Sequence, residues 1–398
     1  MVRLSLMLGG AVLLSTTPAF AQSVDLRPEA GVELRAFAND PQFADQLETL
    51  QGSLILTGEA RWRSHDRDTR VVVEPFVRLD SADEERTYFD LREASLSREI
   101  NREWDILLGV SEVFWGRTES RNVVDVINQI DAVEDVDESE KLGQPMIRVS
   151  RRGNIGTIDA FYLPYFRERR FPGAEGRLRT QLSVDADAAR YGRANEEWSG
   201  DFALRYTYRF DGIDLGLHVF HGTSRNPRLD FNPASGQLEP FYPELNQAGV
   251  DVQWTNEAWL LKGEFVVAEM LGERFISAVA GFEYTFFDIS GSGLDVGLIA
   301  EYLYDDRDQA LLPATLFESD VFVGTRVVLN DVQDTEFLAG AIIDDQTGGA
   351  FLSAEFQRRV GDSVLLEVEA RAFEPSDDRF IAALDQDDHL TVRLTRYF

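Results

Sequence analysis

Charged side chains in this chain recur at every second position of short apolar segments, and that spacing decides what chemistry they can do. In residues 54–63, Glu59, Arg61 and Arg63 share one parity, while Leu54, Leu56, Gly58, Ala60 and Trp62 hold the other. The same alternation puts Glu74, Arg78, Arg92, Asp105, Arg205, Arg209, Lys262, Glu264, Glu301, Arg326, Glu367, Glu369, Arg371 and Arg393 on the polar parity of their segments. Successive residues of a β-strand point to opposite faces, so each set shares one side of a sheet. Two roles fit a face that carries both signs. One is a ladder of cross-strand pairs that stiffens a wall. The other is a transverse field across a water-filled pore, where rows of charge set ion selectivity.

Catalytic chemistry has little support. The chain has no cysteine, which removes thiol nucleophiles, disulfides and thiolate metal sites. Its four histidines are His65, His218, His221 and His389. Only His218 and His221 are close, and at i and i+3 on a strand they face opposite sides, so they make no metal pair. There is no Gly-Lys-Ser/Thr phosphate loop and no Gly-x-Ser-x-Gly elbow, and Ser290-Gly291-Ser292-Gly293 reads as a turn. An enzyme would need a nucleophile beside a base; His218 with a nearby serine is the one arrangement to hand, and no spacing demands it. The expectation is a non-enzyme without cofactor or metal.

Charge narrows the partners. With 70 Asp+Glu against 39 Lys+Arg the formal net charge is −31, which does not suit binding to nucleic-acid phosphates. Acidic runs of this kind are solvated loops, or exposed anionic loops that hold divalent cations and bridge to lipopolysaccharide phosphates.

The elements that must position these charges are strands. Segments of about ten residues with alternating polarity, closed by turn residues, are the signature of an outer-membrane barrel. They fall near 30–38, 50–63, 69–80, 86–97, 102–114, 145–152, 155–165, 199–210, 213–222, 247–256, 258–270, 275–287, 293–304, 319–329, 335–344, 350–360, 363–373 and 388–398. Connections after even-numbered segments are tight, as at 152–154, 211–212, 256–257 and 361–362. Those after odd-numbered segments are long, as at 115–144, 166–198, 223–246, 305–318 and 374–387. Short turns on one rim and long loops on the other are a barrel's rhythm. Aromatic residues such as Trp62, Trp104, Tyr208, Trp259 and Tyr397 fall within strands or at their ends, as interfacial belts require. The fold expected is therefore all-β: a transmembrane antiparallel up-and-down barrel of about 16–18 strands, wide enough for a channel.

The termini agree. Arg3, the apolar run 4–14 and Ala19-Phe20-Ala21 have the anatomy of a cleaved secretory signal peptide over residues 1–21. That leaves 22–398 as one barrel domain in the bacterial outer membrane. Residues 390–398 alternate and stop on Phe398, which resembles the C-terminal strand read by the barrel assembly machinery, with Arg396 departing from the usual apolar alternation.

Two connections could carry the site. In 115–144, Val123, Val126, Ile127 and Ile130 have helical spacing. A short amphipathic helix there needs a surface, and the inner wall is one, which makes this a constriction loop folded into the lumen. The candidates are Arg117, Glu119, Arg121, Asp125 and Asp131, and an outward cap is the alternative. Arg167, Arg169, Arg170, Arg177 and Arg179 make a basic vestibule opposite the acidic run 131–140. Guanidinium forks suit carboxylates and phosphates, although loop–loop pairing would use them too.

The stretch from Val113-Phe114-Trp115-Gly116 through Leu142-Gly143-Gln144-Pro145, with Tyr162-Leu163-Pro164-Tyr165-Phe166-Arg167-Glu168-Arg169, resembles an uncharacterised group of proteobacterial porin-like outer-membrane proteins. The resemblance implies a barrel and an outer-membrane address, and it names no solute. The function expected is a porin-like channel for passive diffusion of small solutes or ions. The alternatives are a gated or plugged transporter for a specific, even hydrophobic, substrate and, more remotely, a barrel enzyme. Expected partners are outer-membrane lipid, lipopolysaccharide, the assembly machinery and small solutes, with a homo-oligomer left open.

Overall fold

The computed structural model describes residues 24–374 and 382–398. The signal peptide expected at 1–21 lies outside the described residues. Among those residues, 18 strands form one antiparallel barrel. In chain order they are β1 Val24–Phe37, β2 Leu50–Arg63, β3 Thr69–Asp80, β4 Tyr88–Glu99, β5 Trp104–Ser111, β6 Gln144–Gly153, β7 Gly156–Leu163, β8 Asp201–Phe210, β9 Ile213–Thr223, β10 Glu244–Asn256, β11 Trp259–Met270, β12 Glu273–Phe286, β13 Asp295–Asp305, β14 Ser319–Val328, β15 Glu336–Asp344, β16 Ala350–Val360, β17 Val364–Glu374 and β18 His389–Tyr397. Each pairs with its sequence neighbour, and β18 closes the barrel on β1 from Glu29↔Tyr397 to Phe37↔His389. Of the two expected counts, the larger is found.

The alternation decides which way the wall faces. Val32 is 62% exposed and Glu33 only 2%; Leu34 is 46% exposed and Arg35 only 4%. A soluble sandwich buries the valine and the leucine. Here the apolar parity clothes the outside all round, far more than a soluble surface tolerates, as a lipid-facing band does. Aromatic rings mark its edges. Trp104, Phe210, Trp259 and Phe286 are exposed near the short-turn rim, and Phe89, Tyr162, Phe202 and Tyr304 near the other.

Turn chemistry sets the rims. Asp211-Gly212, with φ of 43° and 78°, is a left-handed two-residue turn joining β8 to β9. Leu271-Gly272, at 53° and 84°, makes a similar turn on the long-loop rim, where the rhythm calls for a long connection. In β3 the register shifts between Glu74 and Pro75; proline donates no ladder hydrogen bond and is tolerated at such a bulge. Opposite Pro28, Gly58 has φ of 153°, and a Cβ there would sit 2.7 Å from the backbone of Arg27 and Pro28.

Several boundaries differ from expectation, two of them for clear reasons. β1 starts at Val24 rather than near 30, because Val24 to Pro28 pair with Trp62 to Gly58. β5 stops at Ser111 rather than 114, where the chain leaves the wall for the lumen. Most of the buried apolar residues gather in two clusters. One gathers Trp115, Val124 and Ile127 with Met146, Phe161, Phe220 and Val266. The other gathers Phe37, Val279, Ile299, Leu303, Phe322, Ile342, Phe351 and Phe373 with Leu178 and Leu384.

Candidate functional site

The connection 112–143 turns inward at Ser111 and crosses the lumen. No helix forms in it. The only regular pairing is a two-residue ladder, Gln129–Ile130 with Lys141–Leu142. The helical spacing of Val123, Val126, Ile127 and Ile130 was misleading: Val124, Val126 and Ile127 are buried in the apolar cluster around Trp115, and wall carboxylates hold the chain from Arg117 to Val124. Glu264 accepts from the backbone N–H of Arg117 (2.5 Å), Thr118 (3.2 Å) and Val124 (3.3 Å). Glu301 accepts from the N–H of Glu119 and Ser120, both at 2.8 Å, and from the Ser120 hydroxyl at 2.6 Å. A buried carboxylate that receives several N–H donors is well satisfied, and the loop is held to β11 and β13 by its own backbone.

Side chains fix the rest. Arg117 reaches Asp251 at 3.1 Å, and Arg205 meets the same carboxylate at 2.9 Å while lying 4.8 Å over the Trp115 ring. Trp115 also meets Phe161 edge to face and His218 at a tilt. Gly216 makes room for this pair, since a Cβ there would fall 2.2 Å from Asp251. Glu119 bridges Lys262 (3.3 Å) and Arg326 (2.8 Å). Arg225, from the connection after β9, donates to the Ile127 carbonyl and pairs with Asp201 at 2.7 Å. Asp125 lies 3.5 Å from Lys141 within the loop.

The opposite side of the lumen is a second cluster. Arg78 pairs with Glu134 of the loop and with Glu33 at 2.7 Å. Glu33 also takes Arg86 at 2.9 Å and Arg393 at 2.6 Å. The Tyr88 hydroxyl is 2.7 Å from both Asp131 and Glu134, and Arg92 pairs with Asp131 at 2.8 Å. Arg371 holds Asp135 and Asp137, each at 3.1 Å. Burial and then the neighbouring Asp135 push Asp137 up to about 6. Burial works against ionisation of Asp135 too, but Arg371 and Arg35 outweigh it and hold that carboxyl below the usual range.

At this height the inward side chains are buried around the wall: Glu33, Arg78, Met146, Arg205, Phe220, Asp251, Glu264, Glu301, Ile342, Phe351 and Arg371. Of the wall residues singled out from the sequence, Arg78, Arg205, Lys262, Glu264, Glu301 and Arg371 lie under the loop, and Arg326 and Arg393 at its edge. Glu59, Arg61, Arg63, Asp105, Arg209 and Glu367 sit near the short-turn ends of their strands, and Glu74 and Glu369 lie at mid-strand. There they make local contacts, such as Glu59 with Arg61, Asp105 with Arg152 at 2.9 Å, and Arg209 with Asp214. His218 faces in and His221 faces out against Asn246. Glu33 and Asp251 were not singled out from the sequence, and Glu134 and Asp135 entered only as part of the acidic run 131–140. The first two could have been found, since Val32-Glu33-Leu34 and Val250-Asp251-Val252 carry the same alternation.

The basic segment after β7 closes over the loop, and most of its arginines are spent on structure. Arg167 pairs with Asp90 at 2.7 Å. Arg170 lies 4.1 Å over the Tyr88 ring. Arg177 pairs with Asp387 at 2.5 Å and donates to the carbonyls of Glu48 and Gln386. Arg179 donates to the carbonyls of Ala174, Thr180 and Gln181. Arg169 donates to the Arg225 carbonyl at 3.3 Å and, with Arg179, lines a cavity of about 1170 Å³ on the long-loop side, floored by residues of 130–138.

No protein-family model matches the chain, and no curated protein matches it. Among solved structures it is similar to Wzi of Escherichia coli, an outer-membrane protein involved in group 1 capsule assembly and described as a carbohydrate-binding β-barrel. The identity is 11% and the TM-score 0.53, over 93% of this chain and 84% of that one. OprB of Pseudomonas putida aligns at 8% identity and TM-score 0.46 over 94% of each chain. A variant of the Rh. blastica porin aligns at 11% identity and TM-score 0.46, over 94% of this chain and 100% of that one. The Wzi likeness is one of fold.

Proposed function

We propose that this chain is an outer-membrane barrel, exported and cleaved at its N-terminus, that passes small solutes only when the connection 112–143 moves. Its lipid-type exterior and two aromatic edges support the membrane address. The carrying observation is the ring of buried wall side chains at the level of that connection, charged ones included. A permanently open channel keeps such groups in water, whereas here the loop's own backbone and carboxylates satisfy them. The charged faces toward the short turns then form a wet funnel that leads to or from the closure. This favours the gated alternative over free diffusion.

Planar-bilayer recording tests the reading. The intact protein is expected to show little or no steady conductance, and a variant with 117–140 replaced by a short Gly-Ser link to show stable ohmic steps. Large ohmic steps from the intact protein would sink the gate. A binding-only barrel is the second reading, favoured by the cavity above the loop. Its signature is an absence of conductance even after the loop is removed.

A further inference from the structure

We propose that the floor of the cavity binds a small organic anion with one carboxylate head and an apolar body, the head replacing Glu138 between Arg121 and Arg169. The inference rests on the gated reading only for its consequence, release of the loop; the binding itself stands on the cavity.

Arg121 and Arg169 both line the cavity, as does Glu138. Arg121 is positioned by the Thr315 hydroxyl at 2.8 Å and by the Phe317 ring beneath it. Its approach to Glu138 is 3.7 Å, beyond hydrogen-bond length. The Nε of Arg169 is buried and finds no hydrogen-bond partner among the described residues. Glu138 itself has φ of 64°, a left-handed backbone that a long side chain rarely adopts. Burial raises the cost of its charge, and the cations Arg121, Arg169, Lys141 and Arg307 more than repay it, holding the carboxyl below its usual range. Glu138 is thus an anion in a cationic seat that its tether does not let it fill. A free carboxylate can meet a guanidinium fork in the bidentate geometry that the tethered one misses.

The remaining walls define the rest of the ligand. Ile130, Val136, Phe171, Leu229, Leu312 and Leu316 are apolar and suit a hydrocarbon or aromatic body. Asp320 and Asp344, paired across β14 and β15, line the cavity as well and disfavour a second anionic group. Asp135 and Asp137 are taken by Arg371 and do not compete for the floor. A ligand that displaces Glu138 removes one anchor of the segment that closes the lumen, which couples occupancy of the cavity to the gate.

The test uses the full-length barrel in detergent, titrated with 2-naphthoate and with its uncharged isostere 2-naphthamide, read by probe fluorescence. Saturable binding of the naphthoate about 10-fold or more tighter than the amide is expected. Arg121→Gln and Arg169→Gln should each weaken it by about 10-fold, and Glu138→Gln, which removes the internal competitor, should tighten it. Equal affinity for the two probes, unchanged affinity in both arginine variants, or weaker binding in Glu138→Gln overturns the proposal; heat-modifiable migration on gels checks that each variant is folded. Conductance of the intact protein without probe tests closure alone, so failure of the gate and failure of the site give different results.

Discussion

The two halves of the lumen are built from the same alternating strands and end in opposite states. Toward the short turns, inward charges such as Glu59, Arg61 and Arg209 are partly or largely exposed and pair with near neighbours. Toward the long loops, inward charges such as Glu33, Arg78 and Asp251 are fully buried and interleaved with Phe322, Ile342 and Phe351. The difference lies in what fills the space. A charge that keeps its water is worth little as an ion pair. A charge stripped of water is costly unless every partner is present, and losing one partner then costs about 3–5 kcal/mol. The upper half is therefore a folded core inside a barrel, and the lower half a solvated wall.

The largest expected effect breaks the upper half. Arg78→Met strands Glu33 and Glu134 without their shared cation and should destabilise the barrel by about 3–5 kcal/mol, read as a lower urea midpoint for unfolding from lipid vesicles. An unchanged midpoint would mean that water reaches this cluster. Glu301→Ala comes next. It frees the Glu119 and Ser120 amides, and should expose the loop to trypsin at Arg117 and Arg121 while the barrel stays folded. Each lost charge-assisted bond is worth about 1.5–3 kcal/mol, and a loop still resistant to trypsin would show that Glu301 does not hold it.

Acidity gives a smaller effect. Asp137 has a raised carboxyl in the docked loop, so docking takes up a proton. That contribution is full below the ordinary aspartate value near 4 and is lost as pH rises to about 6. Asp135, lowered, acts in the opposite sense and loses its contribution only as pH falls below about 4. Trypsin accessibility of the loop should thus rise between pH 4 and 6, and Asp137→Asn should flatten the rise; an identical profile in the variant would assign the titration elsewhere. The smallest effect belongs to the lower half. Arg61→Gln should leave the urea midpoint within about 1 kcal/mol of the parent, and a shift comparable with that of Arg78→Met would erase the contrast between the halves.

Much of this architecture is legible in the chain. Alternation located all 18 strands, because lipid outside and water or polar partners inside impose a period of two. Boundaries slipped where pairing partners decide them, as at Val24, whose partner Trp62 is remote in sequence. The closure was harder to read. Val321-Phe322-Val323 and Ala341-Ile342-Ile343 are apolar on both parities, which signals a wall dry on both faces, yet such runs look like ordinary strand interiors. The absent helix was illegible for another reason: the spacing of Val123, Val126 and Ile127 carries no information about the wall side chains, Glu264 and Phe220 among them, that arrive from far along the chain to fix and cover this segment.

The seam between β1 and β18 has a temporal meaning. Glu33 belongs to the first strand and Arg393 to the last, and their contact at 2.6 Å sits in the same cluster that anchors Glu134 of the inward loop. Until the last strand is in place, Glu33 lacks one of its cations and this anchor is incomplete. Full docking of the loop is in this way a record that the barrel has closed, and a chain truncated before β18 lacks the cation that completes this anchor.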